Sequence, residues 1–360
     1  MTVPKSGVPT AILKLEKGEA VKVIIGVDPH KGSHTAVAVD DSEAELARVK
    51  VLTSGTQLDQ LLAWAAPFEK RTWAVEAAGG WGYLVSQQLA AAGEEVLDVP
   101  ATLAARVRLL GTGRSNKNDP NDARSVAIAA MRAPRLAGVE RGHHAGVLRL
   151  LAKRNLDLGR SRNRTANRLH ALLAELVAGG IPNEINASSA QRMLEAFTPK
   201  TPIEAARKEL ALEHLDDLRR LDGQMRESKL RIKATVAASA TTLTELFGVG
   251  PVVAAMAIGY AGDVRRFGSR DHFASYTGTA PIEVSSGGRV VHRLSRRGNR
   301  QLNHAIHIAA ITQIRHRHSE GRAYYDRKLA EGKTKKEAVR SLKRRISDAI
   351  YRQLLADAAG

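Results

Sequence analysis

VKVIIGVDPHKGSHTAVAVD, residues 21–40, is the stretch from which the fold is read. Val21 to Val27 is apolar and β-branched, Pro29, Gly32 and Ser33 have turn chemistry, and Thr35 to Val39 alternates again. The pattern predicts a strand, a tight turn and a second strand, with Asp28 at the end of the first. Further on, a helix is expected at about 56–66 and a third strand at RTWAVEA, residues 71–77. The glycine turn at 79–82 leads into an amphipathic stretch, and EEVLDVP, 94–100, reads as another short strand. Strand and helix alternate to about residue 130, which argues for an α/β domain.

Beyond Gly146 the period changes from 2 to 3.6. Residues 150–176 read as a helix with Leu151, Leu156, Leu169, Leu172 and Leu176 among its apolar positions, and Leu148 just ahead of them. A polar loop is expected at 179–202 and a second long helix at about 203–238. Leu218, Leu221, Met225 and Ile232 fit an a/d seam. Two bundle helices and a coiled-coil spacer that mediates self-association both fit this pattern. The remainder is mainly helical, with a Gly/Ser loop and hairpin signal near 277–295.

The chain has 360 residues, 55 Lys plus Arg against 37 Asp plus Glu, and a net charge of +18. Its length predicts two or three domains. The charge favours a polyanionic partner, nucleic acid above an anionic membrane surface, because each neutralised phosphate releases counterions. There is no cysteine, which excludes disulfides, thiolate metal sites and a Cys nucleophile. No run of about 18 apolar residues occurs, so a cytoplasmic protein is expected. Residues 1–20 read as a loosely ordered extension.

Against this basic background four acids stand out. Asp28 and Glu76 lie at the ends of predicted strands, and Asp119 and Asp122 open a predicted helix in SNKNDPNDARSVA, residues 115–127. Strand ends converge at one edge of an α/β sheet, and residues i and i+3 share a helix face. Four carboxylates so gathered repel one another, and Mg²⁺ or Mn²⁺ would relieve the repulsion. Two such ions stabilise both oxygens of a phosphodiester displacement. Taken singly, each acid is also explained as a helix cap, a first-turn acid, a turn residue or a surface acid.

Near the C-terminus, Gly248 and Gly250 in LFGVGPVVAA form the Gly-x-Gly of a helix-hairpin-helix-like turn that can offer backbone N–H groups to a phosphate. A plain helix–helix turn fits equally. From Val284 to Ser319 no Asp or Glu occurs, while arginine stands at 289, 293, 296, 297, 300, 315 and 317. A solvated face usually mixes signs, so this stretch predicts a phosphate-binding surface. Within it, Ser285 and Ser286 precede two glycines. A serine in so positive a loop is a candidate nucleophile at phosphorus; serines beside glycines are otherwise ordinary loop residues. His304 and His307 have a zinc-like spacing but no evident third ligand, and read as packing or phosphate-contact residues. The tail KTKKEAVRSLKRR suits either nucleic acid or solvent.

GVDPHKGSHTAVAVD, WAVEAAGGWGYLVSQQLAAAG and RSNKNDPNDARSVA resemble the three acidic blocks of a bacterial insertion-sequence transposase family, the one numbered one hundred and ten. FGVGPVVAA, FASYTGTAP, SSGG and SRRGNRQL resemble, in order, its C-terminal domain. The resemblance implies an RNase H-like, RuvC-type N-terminal domain whose Asp28, Glu76, Asp119 and Asp122 hold Mg²⁺. It also implies a C-terminal serine domain in which Ser286, with Ser285 as the fallback, carries a covalent link to DNA. Arg296, Arg297, Gly298 and Asn299 fall on the adjacent family motif, which implies contact with backbone phosphate; Arg289, Arg293 and Arg300 are expected to do the same as part of the acid-free basic stretch. The expected boundaries are 1–20 for the extension, 21–146 for the RuvC-like domain, 147–240 for a helical, coiled-coil linker and 241–360 for the serine domain. The implied activity is transposition or recombination of double-stranded DNA, guided by a structured non-coding RNA, in a dimer or tetramer. The alternative is a RuvC-like nuclease or junction resolvase that uses water.

Overall fold

The computed structural model describes residues 22–112, 119–133, 136–140, 144–183, 185–286, 289–294 and 298–359, with backbone only at 111–112, 283–286 and 289–294. The extension expected at 1–20, the glycines of the Gly/Ser loop, Arg296 and Arg297 lie outside the described residues. The chain divides into two compact units, Met1–His143 and His144–Gly360.

The first unit is built on six strands: β1 (Val23–Pro29), β2 (Ser33–Val39), β3 (Glu45–Leu52), β4 (Arg71–Glu76), β5 (Val96–Val99) and β6 (Ala137–Gly138). They lie in the order β3-β2-β1-β4-β5-β6. The first three are antiparallel, β1, β4 and β5 are parallel, and β6 is antiparallel to β5. This is the RNase H-type arrangement, as expected. Strand β3 was not expected. Its sequence, ELARVKVL, sits half exposed at the sheet edge, so Glu45, Arg48 and Lys50 interrupt the apolar run that marks β1.

Helices cover both faces, which is why β1 is buried along its whole length rather than alternating. On one face α1 (Gln57–Ala65) and α2 (Tyr83–Ala91) pack Leu61, Val85 and Leu89 against Ile25, Val27, Trp73 and Val75. On the other, α3 (Ala101–Thr112) and α4 (Asp119–Arg132) meet Ile24, Val37, Val39, Ala74 and Val99. The inner side of α4 is small: Ala123, Val126, Ala127 and Ala130. That lets its backbone rest on β1 at Gly26, where a Cβ would fall 2.0 Å from the Ala123 carbonyl oxygen and 2.6 Å from the Ala127 nitrogen.

The second unit begins with α5 (His144–Leu176), α6 (Ala187–Ala196) and α7 (Pro202–Ala237). The long helices α5 and α7 pack along one another. Leu218, Leu221 and Ile232 of the expected seam are buried, and Met225 is half-buried. Helix α6 lies inside the stretch expected to be loop. Its start is a capping box, Asn186 and Ser189, and such caps read from sequence as turn residues. The chain continues as α8 (Pro251–Ala261), α9 (Arg270–Tyr276), the antiparallel hairpin β7 (Pro281–Ser286) and β8 (Arg289–Leu294), α10 (Arg300–Arg315), α11 (Glu320–Ala330) and α12 (Lys335–Asp357). Leu148 and Ala152 of α5 and Ile232 and Val236 of α7 share one core with α8, α10 and α12. Among the described residues no helix is long and apolar enough to cross a membrane.

Gly26→Ala forces α4 off β1 and is expected to destabilise the first unit by about 1–3 kcal/mol, read as a lower urea midpoint at unchanged slope. Gly32→Ala, where a Cβ meets nothing within 4 Å, stays within about 0.5 kcal/mol of the parent.

Candidate metal centre

Side chains alternate along a strand, so 24, 26 and 28 of β1 point toward α4. Register extends that face. Asp28 pairs with Thr35, which pairs with Lys50 across β2 and β3. On the other side Val27 pairs with Val75, which puts Glu76 beside Asp28 at the carboxyl ends of two parallel strands. The contact of α4 with Gly26 sets its first turn, with Asp119 and Asp122, over the same edge. Asp28 and Asp119 thus come close together, and Glu76 senses the charges of Asp28 and Asp122; Glu76 and Asp122 do not join Asp28 and Asp119 in one set of ligand atoms.

The electrostatics report that proximity. Asp28 and Asp122 are 7% and 8% exposed. Burial, then the charges of Asp28 and Asp122, push the Glu76 carboxyl above its ordinary range, and Arg108 and His30 only partly oppose this. Arg108, on α3, is hydrogen-bonded to Asp122, which raises its pKa first through that bond and charge, then through Glu76 and Asp28. Lys50 Nζ donates to Asp119 Oδ2 at 2.9 Å and holds that carboxyl below its usual range.

Asp28, His30 and Asp119 can each direct one ligand atom into a common space, with all three atoms within 4.8 Å of one another. Among the described residues this is the one such group of three or more metal-type ligands; His304 and His307 form none there. Two carboxylates that close repel, although water screens much of the repulsion at half-exposed Asp119. The Lys50–Asp119 pair that offsets part of this is exposed on both sides, 58% and 37%. Such pairs contribute only about 0–1 kcal/mol, so a cation would displace Lys50 at little cost.

The donor set fits a hard divalent cation: carboxylate oxygens with one imidazole 3.7 Å from Asp28. One further observation agrees. Thr35 is 3% exposed, opposes Asp28 across the ladder, and its hydroxyl is buried without a partner. A buried hydroxyl left so is costly, and a cation's coordination shell at Asp28 would satisfy it.

Three members were not foreseen. His30 lies two residues beyond Asp28, and the same-face parity of a strand is the signal that finds it. Lys50 is on the strand that was missed. Arg108 comes from α3, a helix that was not expected at 101–112.

In the second unit, Ser285 and Ser286 end β7, with Ser286 paired to Arg289 and Ile282 to Arg293. The hairpin base is held firmly. The Asn299 backbone N–H donates to the Tyr276 carbonyl at 2.6 Å, its side-chain amide donates to the Tyr276 hydroxyl, and its Oδ1 caps α10. A Cβ at Gly298 would meet Gly278 backbone at 2.4 Å. Asn303 donates to the Thr277 carbonyl and accepts from Lys343. Asn299 thus spends its polar atoms on the hairpin base, while Arg300 is exposed. Gly248 has φ of +85° and packs against the Ala309 carbonyl, and Gly250 precedes α8 as its N-cap.

Comparison with known proteins locates both units. The profile of the Transposase IS116/IS110/IS902 family matches residues 240–326, and a transposase profile of the DEDD IS110 type matches residues 25–178. The chain is 28% identical to the 44.8 kDa protein of insertion element IS116 from Streptomyces clavuligerus, covering 92% of this chain and 94% of that one. It is 27% identical to the 43.6 kDa protein of insertion element IS110 from Streptomyces coelicolor, over 93% and 95%. The solved T. thermophilus RuvC in complex with Holliday junction substrate aligns with 33% of this chain and 99% of its own, at 17% identity and a TM-score of 0.27.

The raised Glu76 carboxyl fixes a pH dependence. Below the ordinary glutamate range the folded and unfolded chains are both protonated there. As pH rises above it the unfolded chain ionises first, so stability of the cation-free protein falls until the folded carboxyl has also titrated. Urea titrations with a chelator are expected to show that fall as pH rises through and above the ordinary glutamate range, and Glu76→Gln to flatten it. Mg²⁺ at a hundredfold excess over Kd adds about 2.7 kcal/mol to the parent and far less to Glu76→Gln.

Proposed function

Because the chain carries the two transposase domains of the IS110/IS116/IS902 family, we propose that it cuts and rejoins DNA with Asp28, Glu76, Asp119 and Asp122 as its divalent-cation ligands and Ser286 as its nucleophile. The reading is supported by Asp28 and Asp119 reaching a common space and by Glu76 responding to the charges of Asp28 and Asp122, in a chain of net charge +18. A cluster that repels itself suits cations, and a basic chain suits a phosphodiester.

Asp28, Glu76, Asp119 and Asp122 hold Mg²⁺, with Mn²⁺ as a substitute. When bound, the metal neutralises charge on the phosphate oxygens and polarises the scissile phosphodiester. Thr35 and His30 complete the donor set around Asp28. Arg108 orients Asp122 through its hydrogen bond.

The Ser286 hydroxyl attacks phosphorus. A serine O–P bond forms, the bond from phosphorus to the sugar oxygen breaks, the serine proton passes to solvent, and the departing oxygen takes one up. Strand exchange reverses this with another sugar hydroxyl. Ser285, one position earlier, is the fallback nucleophile. Arg289, Arg293, Arg296, Arg297 and Arg300 bind the backbone phosphates of double-stranded DNA, the element ends and the target; Asn299 supports them by holding the hairpin base. Gly248 and Gly250 offer backbone N–H groups at the start of α8 to a further phosphate.

The carboxylates and Ser286 belong to different compact units. The reading includes a homo-oligomer, dimer or tetramer, in which the long helices let one subunit's serine serve another's carboxylates. Sequence choice comes from a structured non-coding RNA that pairs with both DNA partners, as the family resemblance implies.

The test uses purified protein, element-end DNA, flanking element RNA and Mg²⁺. Asp119→Asn and Asp122→Asn are each expected to lower cleavage roughly a hundredfold or more. Ser286→Ala removes both strand exchange and the protein–DNA adduct that mass spectrometry finds on Ser286 in the parent. Cleavage that persists in Ser286→Ala without an adduct assigns the attack to water. Unchanged activity in the aspartate variants contradicts the metal assignment.

A further inference from the structure

The loop that follows Glu76 carries exposed aromatic surface. Trp81 is 63% exposed, Tyr83 53% and Leu84 57%, whereas Trp73 on the preceding strand is fully buried. Side chains of this size exposed in succession are unusual unless something covers them. Most of the Trp81 surface is in solvent, so it contributes little buried area to the core.

Its backbone is tied to the ends of the two strands that carry Asp28 and Glu76. A Cβ at Gly82 would lie 2.6 Å from Val75 Cγ1, 2.9 Å from the Glu76 carbonyl oxygen and 3.2 Å from Pro29 Cγ. The loop therefore rests on the end of β4 and on the turn that leaves β1 just after Asp28. From that turn the Lys31 ammonium reaches to 5.5 Å from the Trp81 ring centroid. The loop is fixed from within. Ala77 has φ of +48°, its N–H donates to the Val99 carbonyl, the Ala78 N–H donates to Asp98 Oδ1 at 2.8 Å, and the Gly80 N–H donates to the Ala77 carbonyl.

We propose that Trp81 is a stacking platform for an unstacked DNA base next to the phosphate that the carboxylates act on, with Lys31 engaging the adjoining phosphate. This rests on the phosphodiester reading above. A phosphate seated among acids at a sheet edge has its neighbouring base close to that edge. An exposed indole beside a lysine is the combination that holds single-stranded nucleic acid, since every base offers a π-face and every nucleotide a charge. Trp81 is a positioning residue: it holds the strand and takes no part in bond making.

The test is tryptophan emission during titration of the full chain with (dT)20 in Ca²⁺. Subtracting Trp81→Phe from the parent isolates Trp81 from Trp64 and Trp73. The parent is expected to show quenching of the Trp81 component. Trp81→Phe binds within about threefold of the parent, and Trp81→Ala binds roughly 5- to 150-fold more weakly at an unchanged melting temperature. An emission change equal in parent and Trp81→Phe, or parent-like binding by Trp81→Ala, overturns the proposal, as does quenching by (U)20 and none by (dT)20. Asp119→Asn separates the two readings, because stacking needs no metal. Quenching that survives there supports the platform whether or not Mg²⁺-dependent cleavage does, and quenching lost there overturns it. Failure of the phosphodiester reading shows instead as cleavage that survives in Asp119→Asn.

Discussion

The site depends on a missing side chain at position 26. Helix α4 can bring Asp119 and Asp122 to Asp28 only because its backbone touches β1 where β1 has no Cβ. The alanines of α4 serve the same end from the other side, since a larger residue at 123 or 127 would hold the helix away from the sheet. Close packing transmits small displacements. The spacing of carboxylates drawn from three places in the chain is thus set by core contacts one turn away from the chemistry.

What packing brings together, electrostatics resists. Burial and the neighbouring acids disfavour ionised Glu76, and the helix start favours acids at 119 and 122 only modestly. The chain answers with unequal counterions. Arg108 sits against buried Asp122, while Lys50 reaches Asp119 across an exposed edge. The first pair is costly to break and orients its acid; the second is cheap and leaves its acid free for other ligands. Such a cluster would keep its shape and still accept cations. That is the compromise between stability and function expected where local rules are broken at a site.

Much of this was legible in the residues. The β-branched run at 21–27, the acids at strand ends and the DxxD of a helix start all have local signatures, and each element stands where those signatures put it. What escaped depended on pairing between distant segments. Strand β3 has charges where a central strand has valines, and only its edge position explains them. Lys50 and Thr35 join the site through register, which a sequence does not print. Helix α6 hid behind its own cap, because Asn186 and Ser189 serve turns and helix starts alike. His30 was within reach, two residues from Asp28, but a histidine after a proline reads first as part of a turn.

The central claim is that these four acids form a cation site. The most direct measurement is anomalous diffraction from crystals of the protein soaked in Mn²⁺. The account predicts a peak within about 2.5 Å of carboxylate oxygens from Asp28 and from at least one of Glu76, Asp119 and Asp122, with the Lys50 ammonium displaced from Asp119. Crystals saturated with Mn²⁺ that show no peak among these residues, or peaks only elsewhere, would contradict it.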